Sequence, residues 1–163
     1  MKYHHNSINE AFRCGHCRQH VTAESLFSGV INRNHCPYCL WSRHLDLERP
    51  GDRLCACKGA MQPVGLTLKK SARKYSRPNQ GELMVIHRCL DCGRLSINRI
   101  AADDIADELY RVYAASFRMT EELRTALAAS GILPLLPRDA RLVCLRLFGR
   151  EGSPAVSGVK LAV

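Results

Sequence analysis

Apolar and polar residues keep two different rhythms along this chain, and the change of rhythm divides it. Val64, Leu66 and Leu68 alternate with Gly65 and Thr67, and Leu83, Val85 and His87 alternate with Met84 and Ile86. A period of two predicts two strands, and their spacing makes them antiparallel mates. From Ala101 the period lengthens. Ile105, Leu109, Val112, Tyr113 and Phe117 recur at helical spacing, with Asp103 and Asp104 where acids favour the positive end of a helix dipole. Thr120 is placed to cap a second helix through Leu123 and Leu127, which stops at Ser130-Gly131. Asp139 can cap a short third helix through Leu142, Leu145 and Phe148, although alternation over 141–148 also admits a strand. Near the start, Val21, Leu26, Phe27, Val30 and Ile31 predict a short hairpin turning at Ser28-Gly29. Leu40, Trp41, Leu45 and Leu47 offer anchors for a small core, with Trp41 read as a packing residue.

So few apolar residues in the first hundred need another source of order, and the cysteines supply one. Eight of the nine fall in close pairs, and only Cys144 stands alone among apolar neighbours, where it packs as a small hydrophobe. Cys14-x2-Cys17 and Cys36-x2-Cys39 lie at the spacing of structural zinc sites. A two-residue gap lets a tight turn aim both sulfurs at one ion, and two such turns complete a tetrahedron. Cys55-x-Cys57 and Cys89-x2-Cys92 form a second set, read sequentially as a second zinc site; an interleaved pairing of the four pairs stays open. No apolar signal run precedes the cysteines and no stretch is long enough to cross a bilayer, so metal in a reducing cytoplasm is expected rather than disulfides.

Two enzymatic readings of these residues are weighed and set aside. Cys14-Gly15-His16-Cys17 matches a disulfide-isomerase string, but that chemistry needs a helix N-terminus after a core strand. Asn34, His35 and His44 invite a His-Asn-His nuclease, but four cysteines close the coordination sphere such a site must leave open. His35 and His44 are read mainly as hydrogen-bonding supports around the knuckle, with contact to an anion as the alternative. No catalytic residue is assigned, and His4 and His5 are taken as solvated.

The run RNHCPYCLWSRHLD, then PGDRLCACKGAMQPVG and VIHRCLDCGRLSINRIAADD, resembles the RNHCP domain family of prokaryotic proteins over about residues 12–104. The resemblance implies a compact domain bearing paired cysteines and implies no reaction. The expected organisation is an N-terminal arm (1–11), the double zinc domain (12–104) and a helical extension with a loose tail (105–163). The fold class is small α+β: two zinc-ribbon or knuckle-like modules with short antiparallel strands, followed by helices.

Charge then changes the picture. Residues 1–100 carry 16 Lys/Arg against 7 Asp/Glu, whereas residues 101–163 carry 8 against 8. Two zinc ions held by eight thiolates would lower the formal +9 to about +5, which still favours an anionic partner. Between the two predicted strands, residues 69–81 hold five cations, one tyrosine and no acid. A basic loop with an aromatic suits phosphate contact and stacking on an unpaired base. Lys69, Lys70, Arg73, Lys74, Tyr75 and Arg77 are the leading candidate contacts, joined by Arg33, His35, Arg43, Arg88 and Arg94. The expectation is a non-enzymatic, zinc-stabilised protein that binds nucleic acid, RNA before DNA, in the manner of a ribosome-associated factor. The alternative is an adaptor that docks a protein through the C-terminal helices.

Overall fold

A computed structural model describes residues 11–70 and 81–150. Phe12–Arg13 (β1) and His20–Val21 (β2) pair antiparallel around the first cysteine turn. A larger antiparallel sheet runs β3-β4-β5-β6, comprising Ser42–Arg43, Ala60–Lys70, Gly81–Cys89 and Leu95–Arg99. The predicted hairpin is its centre: Leu66 opposes Val85 and Leu68 opposes Leu83. Register slips between Pro63 and Gly65, as expected where a proline cannot donate to the ladder. Gly65 lets the chain that follows the first long helix cross close above β4. A Cβ there would sit 3.2 Å from the Ser116 Cβ.

All five residues from Leu83 to His87 are buried, so both faces of β5 are covered. On one face Leu66, Leu83 and Val85 pack with Leu109, Val112 and Tyr113 of α2 (Ala106–Ala115) and with Val143 and Cys144 of α4 (Ala140–Phe148). On the other, Ile86 packs with Leu123 and Leu127 of α3 (Glu121–Ala129), flanked by Val64, Leu95 and Ile97. The helices therefore share one core with the sheet. Thr120 caps α3 as the sequence predicts, accepting from the Leu123 N–H. Residues 133–135 run beside β4 where β3 has ended: Thr67 Oγ1 donates to the Leu133 carbonyl at 2.6 Å and Leu135 N–H donates to Leu66 O at 2.8 Å.

Two expectations need correction. Residues 21–31 do not form a hairpin, because Val21 is already paired with Phe12. Ser25–Ser28 instead make one helical turn (α1), closed by Gly29 at φ 67°. Leu26, Phe27 and Ile31 point outward at 86, 60 and 72 % exposure. The third helix forms as expected (α4, Ala140–Phe148, ending at Gly149), although Asp139 makes no side-chain cap bond to it. Asp103 and Asp104 do not serve the dipole of α2, whose first-turn acids are Asp107 and Glu108; they take the partners described below.

His87 joins the sheet to the second cysteine turn. Its Nε2 is 2.7 Å from the Leu40 carbonyl, which can only accept, so Nε2 carries the proton; Nδ1 accepts from Asn98 Nδ2 at 2.8 Å. Burial, with the nearby His35, depresses its pKa to about 3. The unfolded chain binds a proton near pH 6.5 that the folded chain refuses until about pH 3. Stability is therefore lost as pH falls through that window, by at most roughly 1.4 kcal/mol per unit from this group. The His87 ring should show no NMR titration between pH 8 and pH 5, and His87→Gln should flatten the acid limb of a urea-unfolding profile. A ring that titrates near 6.5 would contradict the assignment.

Candidate metal centres

Three of the cysteine turns repeat one backbone pattern. Arg18, Leu40 and Gly93 each donate their N–H to the carbonyl of the first cysteine of the turn, at 3.1, 2.8 and 3.0 Å. That cysteine's own N–H donates to Gln19, Trp41 or Arg94. The residue after each second cysteine is left-handed: Arg18 at φ 66°, Leu40 at 60° and Gly93 at 75°. Two of these carry side chains and cost on the order of 1 kcal/mol each, which the paired turn bonds and the sulfur positions offset. Leu40 has a second use, since its side chain is fully buried in the main core. The metal turn and the sheet are thus locked by one residue.

These turns gather the first site as the spacing predicts. Cys14 Sγ lies 3.6 Å from Cys39 Sγ, and Cys17 Sγ lies 3.5 Å from Cys36 Sγ. A tetrahedron with Zn–S bonds of about 2.3 Å has edges of about 3.8 Å, whereas a disulfide needs about 2.05 Å. The donor set and geometry fit a structural zinc ion. Cys14-Gly15-His16-Cys17 lies in the β1–β2 turn rather than at the start of a helix, so it lacks the setting of a thiol oxidoreductase. Beside it His16 stacks on Trp41, centroids 4.2 Å apart and nearly parallel.

The second site departs from expectation in one ligand. Cys57, Cys89 and Cys92 come together, but the fourth member is His44, and Cys55 does not join them. Cys57 Sγ lies 3.6 Å from Cys89 Sγ, and His44 Nδ1 lies 3.3 Å from Cys92 Sγ. The reason is local. With one residue between them, Cys55 and Cys57 cannot make the turn used by the other pairs. Cys55 N–H instead donates to Leu45 O, and Cys55 is buried. His44, one residue past β3, is held over the site by its N–H to Gly59 O at 2.9 Å. This histidine carried no spacing signal, so the sequence alone gave it only a supporting role.

The chemistry of both sets suits a divalent cation. Burial pushes the Cys36 thiol up to about 11 and Cys39 further. For Cys57 the Gly59 N–H acts downward, but burial and the neighbouring Cys89 and Cys92 outweigh it, and the thiol rises to about 11. A bound zinc ion offsets these costs with its own charge, so binding displaces protons and weakens in acid.

Arg33 and His35, proposed as contacts to an anion, are buried and engaged within the protein. Arg33 Nη1 donates to both Asp103 oxygens at 2.8 and 2.7 Å, Nη2 donates to Asp104 at 3.2 Å, and Nε donates to His35 O. His35 Nε2 meets Asp104 Oδ2 at 2.7 Å, which also accepts from Ala101 N–H. With His44 in the thiol cluster and His35 on Asp104, both histidines of the imagined nuclease are committed elsewhere. Of the other candidate contacts, Arg43, Lys69, Arg88 and Arg94 are exposed. The side chain of Lys70, together with Arg73, Lys74, Tyr75 and Arg77, lies outside the described residues, as do His4 and His5.

Two metal-binding clusters, one at the turn of the β1–β2 sheet and one at the end of the four-stranded sheet, define a small zinc-binding α+β protein. Residues 9–110 match the RNHCP domain, so the chain belongs to that family. No curated protein matches the chain, and no solved structure does. Among the described residues no helix is long and apolar enough to cross a membrane.

Two predictions test the centres. Purified protein should hold two zinc ions per chain; His44→Ala and Cys57→Ala should each lose one, while Cys55→Ser keeps both by elemental analysis. If Cys55→Ser loses an ion and His44→Ala does not, the assignment of the fourth ligand is wrong. Asp104→Ala should cost about 3–5 kcal/mol in denaturant unfolding of the zinc-loaded protein, because it strips a fully buried carboxylate from Arg33 and His35.

Proposed function

We propose that this protein binds RNA without catalysis, zinc serving as scaffold. The observation that carries the reading is where the exposed cations sit. A cleft of about 150 Å³ is lined by Arg43, Arg49 and Arg94, and one of about 400 Å³ is lined by Lys69 and Arg99. Both clefts share Asn34, Asp46, Pro50, Ile97 and Asn98, so they form one track along β6. The track begins beside the second metal site and ends at the base of the basic β4–β5 loop. Arg99 is held by Glu82 at this end, and Lys69 is exposed there. Cations stand at both ends of the groove, and between them Asp46 is tied up by Asn34, Gly51 and Arg53, while Asn32 and Asn98 offer partners for a 2′-hydroxyl; this suits a phosphodiester chain. Helices α2–α4 spend their apolar faces on the sheet, so the docking alternative has less surface to draw on. A cytoplasmic, ribosome-associated location would supply both structured RNA and reduced thiols.

Fluorescence anisotropy with labelled single-stranded and structured RNA checks this. Affinity should fall steeply with salt, and the Arg43→Glu/Arg94→Glu pair should weaken binding at least tenfold while the salt slope becomes shallower by about 0.7 per lost contact. Reversing Lys69, Lys70, Arg73, Lys74 and Arg77 should do more. Unchanged affinity in both variants, with zinc content intact, would reject the reading.

A further inference from the structure

The first metal site carries an aromatic pair that takes no part in ligation or in the core. His16 sits between Cys14 and Cys17 but does not join the four thiols. Its backbone N–H points at Cys14 Sγ, 3.4 Å away, so the turn fixes where the residue stands. Its ring lies on Trp41 with centroids 4.2 Å apart and planes 5° from parallel. Trp41 is fixed by the opposite turn, its carbonyl accepting from Cys36 N–H at 3.0 Å. Each half of the site thus supplies one ring, and an ion joining the halves holds the pair assembled. His16 is exposed, Trp41 is half-buried, and neither belongs to an apolar core cluster. Trp41 covers one side of the imidazole, and the exposed remainder is a surface on which a further ring can stack.

The surroundings are polar and cationic. Residues 11–23 and 33–45, which build both turns, contain Arg13, Arg18, Arg33 and Arg43 and no acid. Arg33 is buried, and the other three are exposed. They outweigh the charge of about −2 that a zinc ion with four thiolates carries. Arg13 and Arg18 flank His16 in the chain and are tied together, Arg13 Nε donating to Arg18 O at 2.9 Å. Arg43 follows Trp41 across the buried Ser42, so strand alternation turns both side chains to one side. Register brings the exposed Gln62 to that side as well, through Ala60, the partner of Arg43. Arg43 also lines the smaller cleft.

We propose that His16 and Trp41 form a stacking platform for one unpaired base of a single-stranded RNA whose phosphates meet Arg43 and the arginines of the first turn. The proposal rests on the RNA reading and adds the element that holds a base rather than the backbone. Every base has a π-face, so the platform selects unpaired over paired RNA without choosing among bases.

The experiment uses the zinc-loaded full chain, a short single-stranded RNA, and an abasic chain of equal length that keeps the phosphates. Trp41 is the only tryptophan, so its emission reports on the pair directly. The RNA should change that emission saturably and bind at least about fivefold more tightly than the abasic chain. His16→Ala, with zinc content unchanged, should erase most of this advantage while abasic binding stays the same. His16→Tyr should restore it. Equal binding of RNA and abasic chain by the unaltered protein, or an advantage that persists in His16→Ala, would overturn the platform and leave the RNA reading standing. Failure of both chains to bind would reject the two together.

Discussion

One buried carboxylate holds the two halves of this protein together. Asp104 has no exposed side-chain surface, yet it faces the guanidinium of Arg33, the ring of His35 and the N–H of Ala101. A charge in that position is tolerable because both oxygens are engaged and the opposite charge is fully buried with it. Arg33 and His35 are rooted beside the first metal turn, and Asp104 lies just before α2. Two backbone bonds reinforce the joint, Ile105 N–H to Pro37 O and Ala102 N–H to Ser28 O. The helix that covers the sheet therefore starts from a point fixed by the metal site.

This arrangement makes zinc structural in more than the local sense. The first site sets Leu40, which enters the main core, and its carbonyl receives the buried His87. The second site is built from the end of β5, the residue beyond β3 and the turn before β4. The first cluster thus ties the β1–β2 turn to the turn before β3, and the second gathers the ends of β3, β4 and β5. The cleft along β6 opens beside the second cluster, whose ligand His44 forms part of its wall.

Much of this was legible beforehand. Period-two alternation found β4 and β5, helical spacing found α2 and α3, and the cysteine arithmetic paired the sites sequentially. Those features rest on local signals: side chains two or four residues apart, or turns whose geometry needs particular spacing. The misreadings have one source. Arg33 and His35 look like surface cations in a basic segment, because nothing local shows that acids some 70 residues later will bury them. His44 looks like a support residue, because ligation depends on where β3 places it relative to strand β5, which is far off in the chain.

The sequence by itself determined the metal chemistry, the central hairpin and the Thr120 cap of α3, since each is encoded within a few residues. Only the tertiary structure decided which side chains meet across the fold. It took Arg33 and His35 from the solvent into an ion network, exchanged Cys55 for His44, and set Asn34 and His44 in the wall of one cleft. Long-range juxtaposition has no local signature, because its energy arises from burying groups whose partners are distant in sequence.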